Sequence, residues 1–172
     1  MTEPRRAAIV GTGLIGGSIG MALRARGWHV TGIDRDEARA QRALELGALD
    51  AVGADPTAEI TFVATPVRAV PDAVAEALAA NPDGVVTDVG SVKGSIVSAV
   101  GSSRFVGGHP MAGSEQEGVD GADPDLFHGA VWVLTPTAAT PDEVLRRVGL
   151  VVRELGADVV ALDPPPPDSR LY

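Results

Sequence analysis

The sequence contains no cysteine among its 172 residues, and only 3% of them are aromatic. Without cysteine, disulfides, thiolate metal ligands and thiol nucleophiles are all excluded. Because aromatic side chains are few, Val, Ala, Leu and Ile must form the core. This composition is typical of a parallel sheet that is buried on both faces.

Basic residues are also scarce, because 14 Lys and Arg stand against 23 Asp and Glu and leave a formal net charge of -9. The resulting field repels phosphate backbones and anionic membranes, so neither nucleic acid nor a membrane is an expected partner. No apolar run approaches the length of a membrane span, and residues 1–6 are too few for a signal peptide. We therefore expect a cytoplasmic protein.

Short runs rich in Val and Ile alternate with longer segments rich in Ala, Leu, Arg and Glu, which is the pattern of strands and covering helices. Strands are predicted at 7–10, 29–33, 60–64, 85–88, 104–106, 131–135 and 158–161. Helices are predicted at 16–26, 36–46, 67–80, 93–100 and 142–155. The pattern predicts an α/β fold with a doubly wound, mostly parallel sheet and helices on both faces. Between 109 and 131 the alternation breaks, which predicts a functional or mobile loop.

A glycine-rich turn follows the first predicted strand directly and opens the first predicted helix. It reads Gly-Thr-Gly-Leu-Ile-Gly at 11–16, which is the pattern of Rossmann-like dinucleotide-binding domains. Gly11 permits the tight turn, Gly13 lets the backbone approach a pyrophosphate, and Gly16 allows the helix to pack closely on the strand. The motif predicts a cofactor site at Gly11, Gly13, Leu14, Ile15 and Gly16.

The second predicted strand leads into Asp34, eighteen residues after Gly16. A carboxylate here accepts hydrogen bonds from ribose hydroxyls and repels a 2′-phosphate, so Asp34 favours NAD over NADP. Arg35 weakens this preference, because a guanidinium can stack on adenine or pair with a phosphate. Asp34 could instead cap the helix that begins near Asp36.

The carboxyl ends of later strands carry further candidates. Thr65 and Pro66 follow the strand at 60–64, on the edge where open α/β sheets bind their ligands. His109 is placed at the carboxyl end of a later strand, in a glycine-rich segment that leaves room for a substrate. A neutral imidazole, with a pKa of roughly 6.5, can accept a proton from a substrate hydroxyl as hydride leaves the same carbon.

Five segments form an ordered set along the chain. They are Gly-Thr-Gly-Leu-Ile-Gly-Gly-Ser at 11–18, Asp-Val-Gly-Ser-Val-Lys at 88–93, Gly-His-Pro-Met-Ala-Gly-Ser-Glu at 108–115, Leu-Phe at 126–127 and Val-Leu-Thr-Pro at 133–136. This set resembles the prephenate/arogenate dehydrogenases over nearly all of residues 6–163. The Gly-Ser-Val-Lys and His-Pro-Met-Ala-Gly segments are its most specific parts.

The resemblance implies an NAD-dependent oxidative decarboxylation of prephenate to 4-hydroxyphenylpyruvate, or of arogenate to tyrosine, in tyrosine biosynthesis. His109 matches the histidine that bonds the 4-hydroxyl of the substrate, and Ser91 matches a serine that positions both. Ser114 and Glu115 match a loop that lines the substrate pocket. Ser91 has a second interpretation as a capping hydroxyl at a helix N-terminus. No metal is expected.

The family resemblance also implies a helical domain that forms a homodimer and contributes an arginine to the substrate's carboxylate, and we do not expect that domain within this chain. We expect residues 1–163 to form the NAD-binding domain and 164–172, which open with four prolines, to form a tail or truncated linker.

Arg68 and Arg104 are possible cations for the substrate. We expect NAD binding but poor turnover without a helical partner. Two alternatives stay open: another Rossmann reductase of a small acid or imine, and a nucleotide-binding module without catalysis.

Overall fold

The computed structural model describes residues 2–91, 93–112 and 118–163. The strands are β1 (Arg6–Val10), β2 (His29–Ile33), β3 (Ala51–Val52), β4 (Ile60–Val63), β5 (Val85–Asp88), β6 (Phe105–Pro110), β7 (Val131–Thr135) and β8 (Asp158–Ala161). The α-helices are α1 (Leu14–Ala25), α2 (Glu37–Glu45), α3 (Val70–Ala80), α4 (Lys93–Ala99) and α5 (Asp142–Glu154). Short 3-10 turns lie at Val67–Ala69 and Val119–Gly121.

One sheet joins these strands in the order β3-β2-β1-β4-β5-β6-β7-β8. All neighbours from β3 to β6 pair in parallel. β7 runs antiparallel to β6, and β8 runs parallel to β7. The strand order reverses between β1 and β4, and such a reversal leaves a ligand-binding crevice outside the carboxyl ends of the strands.

Successive residues of a central strand enter different cores, because side chains alternate between the two faces of a sheet. Phe62 of β4 belongs to the core beneath α1, α2 and α5, and Val63 belongs to the core beneath α3 and α4. The ring of Trp132 lies within the first core, with its centroid 5.2 Å from that of Phe127 and 6.1 Å from that of Phe62. Helices therefore cover both faces of a mostly parallel sheet, which confirms the predicted fold.

The strand that carries His109 is longer than predicted. The prediction ended this strand at residue 106, but β6 continues to Pro110 because residues 107–110 pair with β7. Glycine is depleted in strands, so the two glycines at 107 and 108 favoured an earlier end of the predicted strand. The predicted irregular segment therefore begins at Met111, and it contains the 3-10 turn Val119–Gly121.

Smaller differences concern the ends of elements. β3 was missed because two residues are too short to show a period. The helix predicted from residue 67 begins as the 3-10 turn Val67–Ala69 and becomes α-helical at Val70. The predicted tail at 164–172 lies outside the described residues. No helix within the described ranges is long and apolar enough to cross a membrane.

Candidate functional site

The candidate site residues come together at one edge of the sheet. Because β1, β2, β4, β5 and β6 are parallel, their carboxyl ends all lie there. The glycine turn follows β1, Asp34 follows β2, Thr65 and Pro66 follow β4, Ser91 follows β5, and His109 lies near the end of β6. The sequence had assigned these residues to one edge, and the strand topology places them on it.

The glycine turn at 11–16 has the geometry that its motif predicts. Gly11 has a φ of 94°, in the left-handed region that favours glycine. A Cβ on Gly16 would lie 1.9 Å from the carbonyl oxygen of Gly11, whereas a Cβ on Gly13 would meet nothing within 4 Å. The helix therefore packs closely at Gly16, and open space remains beside Gly13 where a pyrophosphate can approach the backbone.

The start of α1 offers N–H groups to this open space. Its N-cap residue Gly13 has no side chain, and no side-chain hydrogen bond caps the helix. The first N–H groups of a helix have no partner within the helix, and they favour a bound anion together with the helix dipole. Leu14 and Ile15 form this first turn, which contains no acidic residue. The arrangement suits a negatively charged phosphate.

Asp34 is fixed by its neighbours at the end of β2. Its Oδ2 accepts hydrogen bonds from the N–H (2.8 Å) and the hydroxyl (3.1 Å) of Thr12, and its Oδ1 accepts from the N–H of Asp36 (2.9 Å). The N-cap of α2 is Asp36, whose Oδ1 accepts from the N–H of Ala38 at 3.0 Å. The interpretation of Asp34 as a helix cap is therefore wrong. Its half-buried carboxylate instead ties the glycine turn to β2.

An open cleft of about 550 Å³ runs along this part of the edge. Six of the predicted cofactor ligands line it, namely Gly11, Gly13, Asp34, Arg35, Thr65 and Pro66. The hydroxyl oxygen of Thr65 is buried and has no hydrogen-bond partner among the described residues. A bound polar group would satisfy that hydroxyl, because buried polar atoms in proteins are almost always hydrogen-bonded.

Charged side chains also line this cleft. Three are carboxylates, on Asp34, Asp72 and Glu76, and two are guanidinium groups, on Arg35 and Arg39. Arg39 lies 3.7 Å from Asp36 in an exposed ion pair within α2. The cleft therefore carries an excess of negative charge, which disfavours an additional phosphate on the ribose.

His109 lies on β6, the strand next to β5, and its surroundings lower the pKa of its imidazole. Burial lowers the pKa of the imidazole below its usual range, and the positive charge of Lys93 lowers it further. A hydrogen bond with the backbone of Val89 and the charge of Asp88 oppose this change. The imidazole is therefore neutral at about pH 7, which is the form that can accept a proton.

A buried ion pair close to His109 was missed by the sequence analysis. The side chains of Asp88 and Lys93 are both 0% exposed, and the Lys93 ammonium donates a hydrogen bond to Asp88 Oδ2. Burial lowers the pKa of Lys93, while the Asp88 carboxylate opposes that change. A signal was present, since the aspartate ends an apolar strand and the lysine starts a helix five residues later.

The structure describes two of the four predicted substrate residues, Ser91 and His109. Ser91 lies three residues after the end of β5 and is half-buried, and β5 is the parallel neighbour of β6, which carries His109. Ser114 and Glu115 lie outside the described residues. Ser91, after the end of β5, and His109, on β6, are therefore the described part of the predicted substrate site.

Arg104, a possible substrate cation in the sequence analysis, has a structural position instead. It precedes β6 at the opposite edge of the sheet, and its guanidinium donates to the carbonyl oxygens of Leu78, Asn81 and Gly84 at 2.6 to 2.8 Å. It thereby satisfies carbonyl groups at the C-terminal end of α3, so its prediction as a substrate cation is wrong. Arg68 is exposed in the turn that follows β4.

Comparison with known proteins identifies relatives over most of the chain. The family described as prephenate dehydrogenase, nucleotide-binding domain, matches residues 19–161. This match begins inside α1, so the glycine turn at 11–16 is an additional observation. A prephenate dehydrogenase from Bacillus subtilis (strain 168) is 34% identical over 170 residues, which cover 91% of this chain and 46% of that protein. The chain thus spans about half the length of this relative.

Two solved structures share the fold along nearly the whole chain. The arogenate dehydrogenase from Synechocystis superposes with a TM-score of 0.84 and 34% identity, covering 92% of this chain and 60% of that one. The prephenate dehydrogenase from A. aeolicus, in complex with hydroxyphenyl propionate and NAD+, superposes with a TM-score of 0.86 and 30% identity, covering 94% and 61%. This chain therefore belongs to the family of prephenate dehydrogenase nucleotide-binding domains.

Proposed function

We propose that this chain is the cofactor-binding and proton-accepting part of a cytoplasmic NAD-dependent dehydrogenase that oxidatively decarboxylates prephenate or arogenate. One observation carries the proposal. The open space beside Gly13 and the half-buried imidazole of His109 lie at the same edge of the sheet, where a cofactor and its substrate can meet. The relatives named above act on prephenate or arogenate by name, which supports this substrate class.

The residues of the cleft fit NAD as the cofactor. The A. aeolicus relative was solved with NAD+. Here the uncapped start of α1 suits the pyrophosphate, and the carboxylate of Asp34 suits the ribose hydroxyls. The hydroxyl of Thr65 has no hydrogen-bond partner among the described residues, so it can bind a polar group of the cofactor. NAD, when bound, supplies the acceptor for hydride. Asp72 and Glu76 add to the charge that disfavours NADP.

His109 is proposed to take the proton of the substrate's 4-hydroxyl. The lowered pKa of the imidazole keeps it neutral, so it can accept a hydrogen bond from that hydroxyl and then its proton. As the proton leaves, a carbon–oxygen double bond begins to form at the carbon that loses hydride. Carbon dioxide leaves from the opposite side of the ring, and the electron pair of the broken carbon–carbon bond makes the ring aromatic. The oxygen becomes that of a phenol and takes back a proton from the imidazolium of His109. Ser91, in the segment that follows the adjacent strand β5, is proposed to orient the hydroxyl and the imidazole.

A single-turnover experiment tests this proposal. The chain is held in excess over prephenate or arogenate with saturating NAD, and NADH formation is followed by absorbance. We expect NADH from at least one of the two substrates, and His109→Asn should slow its formation by about 10²-fold to 10⁴-fold, which is the usual contribution of a general base. Excess enzyme makes even slow turnover measurable.

Calorimetry with NAD provides the control for this experiment. His109→Asn should leave the affinity for NAD within about twofold of the wild-type value, because residue 109 does not line the cofactor cleft. Absence of NADH with both substrates, although NAD binds, would contradict the proposed activity. Equal rates for wild type and His109→Asn would contradict the role of the imidazole.

A further inference from the structure

The buried ion pair of Asp88 and Lys93 is not explained by stability alone. Both side chains are completely buried at the junction of β5 and α4. Removing two charges from water costs about as much as their attraction returns, so a buried pair often adds nothing over apolar residues of similar size. The contacts of the pair indicate a different role.

The Asp88 carboxylate holds two backbone segments besides Lys93. Its Oδ2 accepts a hydrogen bond from the N–H of Gly90 at 2.9 Å, and its Oδ1 accepts from the N–H of Gly108 at 3.1 Å. Gly90 immediately precedes Ser91, and Gly108 immediately precedes His109. One carboxylate therefore fixes the backbone directly before each of the two residues in the proposed reaction.

The close approach at Gly108 strengthens this link. A Cβ on Gly108 would lie 2.7 Å from the carbonyl oxygen of Asp88 and 3.0 Å from the hydroxyl of Thr87. β6 can thus lie against the end of β5 only because residue 108 has no side chain. The position of His109 relative to Asp88 is consequently set by direct backbone contact.

We propose that the Asp88–Lys93 pair is a positioning device for the proposed site: its carboxylate aligns Ser91 and His109, and its ammonium places a positive charge near the imidazole. The proposal rests on the function assigned to His109 above. In it Asp88 and Lys93 act only through the two residues that they position.

The charges around His109 are consistent with this role. Lys93 on α4 and Asp88 on β5 are the charged groups that act on the imidazole among the described residues. β7, the other strand paired with β6, has no ionisable side chain. The ammonium of Lys93 disfavours a second positive charge nearby, and Asp88 partly compensates it. Removing the ammonium alone should therefore raise the pKa of His109.

The first test measures the pKa of His109 by NMR titration of its ring, without substrate or cofactor. Lys93→Gln removes the charge but keeps a side chain that can donate to Asp88. We expect the pKa of His109 to rise by about one pH unit, as is usual when a nearby charge of the same sign is removed. The double substitution Asp88→Asn, Lys93→Gln removes both charges and should return the pKa toward the wild-type value. The rings of His29 and His128 serve as internal references.

The second test uses the wild-type protein and needs no variant to fold. Gly90 lies outside the strands, and within residues 2–91, 93–112 and 118–163 its N–H is held by the Asp88 carboxylate. We expect slow hydrogen exchange at the N–H groups of both Gly90 and Gly108. Rapid exchange at either one, or an unchanged pKa of His109 in Lys93→Gln, would overturn the proposal. Neither measurement depends on turnover, so failure of the proposed activity is seen separately in the NADH assay.

Discussion

The two halves of the site are built on different physical principles. The nucleotide half comprises residues 11–16, Asp34 and Thr65. It depends on backbone N–H groups and on glycines, whose lack of a side chain leaves room for close packing and for a ligand. The base half, comprising Asp88, Ser91, Lys93 and His109, depends on buried charges that compensate one another. Added volume should therefore damage the first half, and altered charge should damage the second.

The largest expected effect comes from adding one methyl group within the glycine turn. Gly16→Ala would place a Cβ 1.9 Å from the Gly11 carbonyl oxygen, so the helix and the turn must separate. We expect the free energy of unfolding to fall by about 3 kcal/mol, as for overpacked cores. Urea denaturation of the variant measures this change.

Gly13→Ala is the matched control, because it adds the same methyl group three residues earlier. The φ and ψ of Gly13 are -85° and -151°, in the extended region, and its Cβ would meet nothing. The free energy of unfolding should fall by no more than about 1 kcal/mol, while the Kd for NAD should rise about tenfold or more, equivalent to about 1.4 kcal/mol. Equal loss of stability in both variants would contradict the distinction between packing and binding glycines.

This difference also explains what the sequence could predict. The nucleotide half is local: Gly11, Gly13 and Gly16 lie within six residues between a strand and a helix, so their roles follow from the motif alone. The base half is assembled from β5, α4 and β6, and the contact of Asp88 with Gly108 joins residues 20 positions apart. No period or motif contains that contact. Asp88 and Lys93 do lie in one short segment at 88–93, but their complete burial depends on the packing of β5, α4 and β6 and cannot be read from that segment alone.

Two wrong predictions have the same origin. The extension of β6 through residues 107–110 depends on pairing with β7, whereas local propensity at two glycines opposes a strand. Arg104 was considered as a substrate cation because guanidinium groups bind carboxylates, yet its partners are three carbonyl groups between the last turn of α3 and the start of β5. In both cases the partner is distant in sequence.

Asp34→Asn sharpens the comparison from the side of charge. The amide keeps the shape of the side chain and can still accept a hydrogen bond, but it no longer repels a 2′-phosphate. We expect the preference for NAD over NADP, measured as the ratio of the two Kd values, to fall about tenfold, or about 1.4 kcal/mol. An unchanged ratio would assign the preference to Asp72 and Glu76, which line the same cleft.

Thr12→Val should have a smaller effect on the same interaction. The substitution removes the 3.1 Å hydrogen bond from the Thr12 hydroxyl to Asp34 but keeps the 2.8 Å bond from the backbone N–H. We expect the Kd for NAD to rise by about twofold to fivefold, since a net hydrogen bond contributes about 0.5 to 1 kcal/mol. Thr12→Ser retains the hydroxyl and should bind as the wild type does. A rise in the Kd for NAD of about tenfold or more, equivalent to about 1.4 kcal/mol, would show that the hydroxyl, and not the N–H, holds the carboxylate.

The smallest expected effect is a pH dependence of stability that belongs to the base half alone. Burial and the charge of Lys93 lower the pKa of His109 in the folded chain, whereas an unfolded histidine titrates at about 6.5. Between the two values the unfolded chain binds a proton that the folded chain does not. The free energy of unfolding therefore decreases as the pH falls below about 6.5, and this contribution is lost once the folded pKa is passed.

His109→Asn should flatten this part of the curve in urea titrations, and His128→Asn controls for loss of an imidazole at the surface, where residue 128 is 59% exposed. If wild type and His109→Asn lose stability in parallel, the imidazole is not held neutral by its surroundings, and the base half would lack the charge compensation that distinguishes it from the nucleotide half.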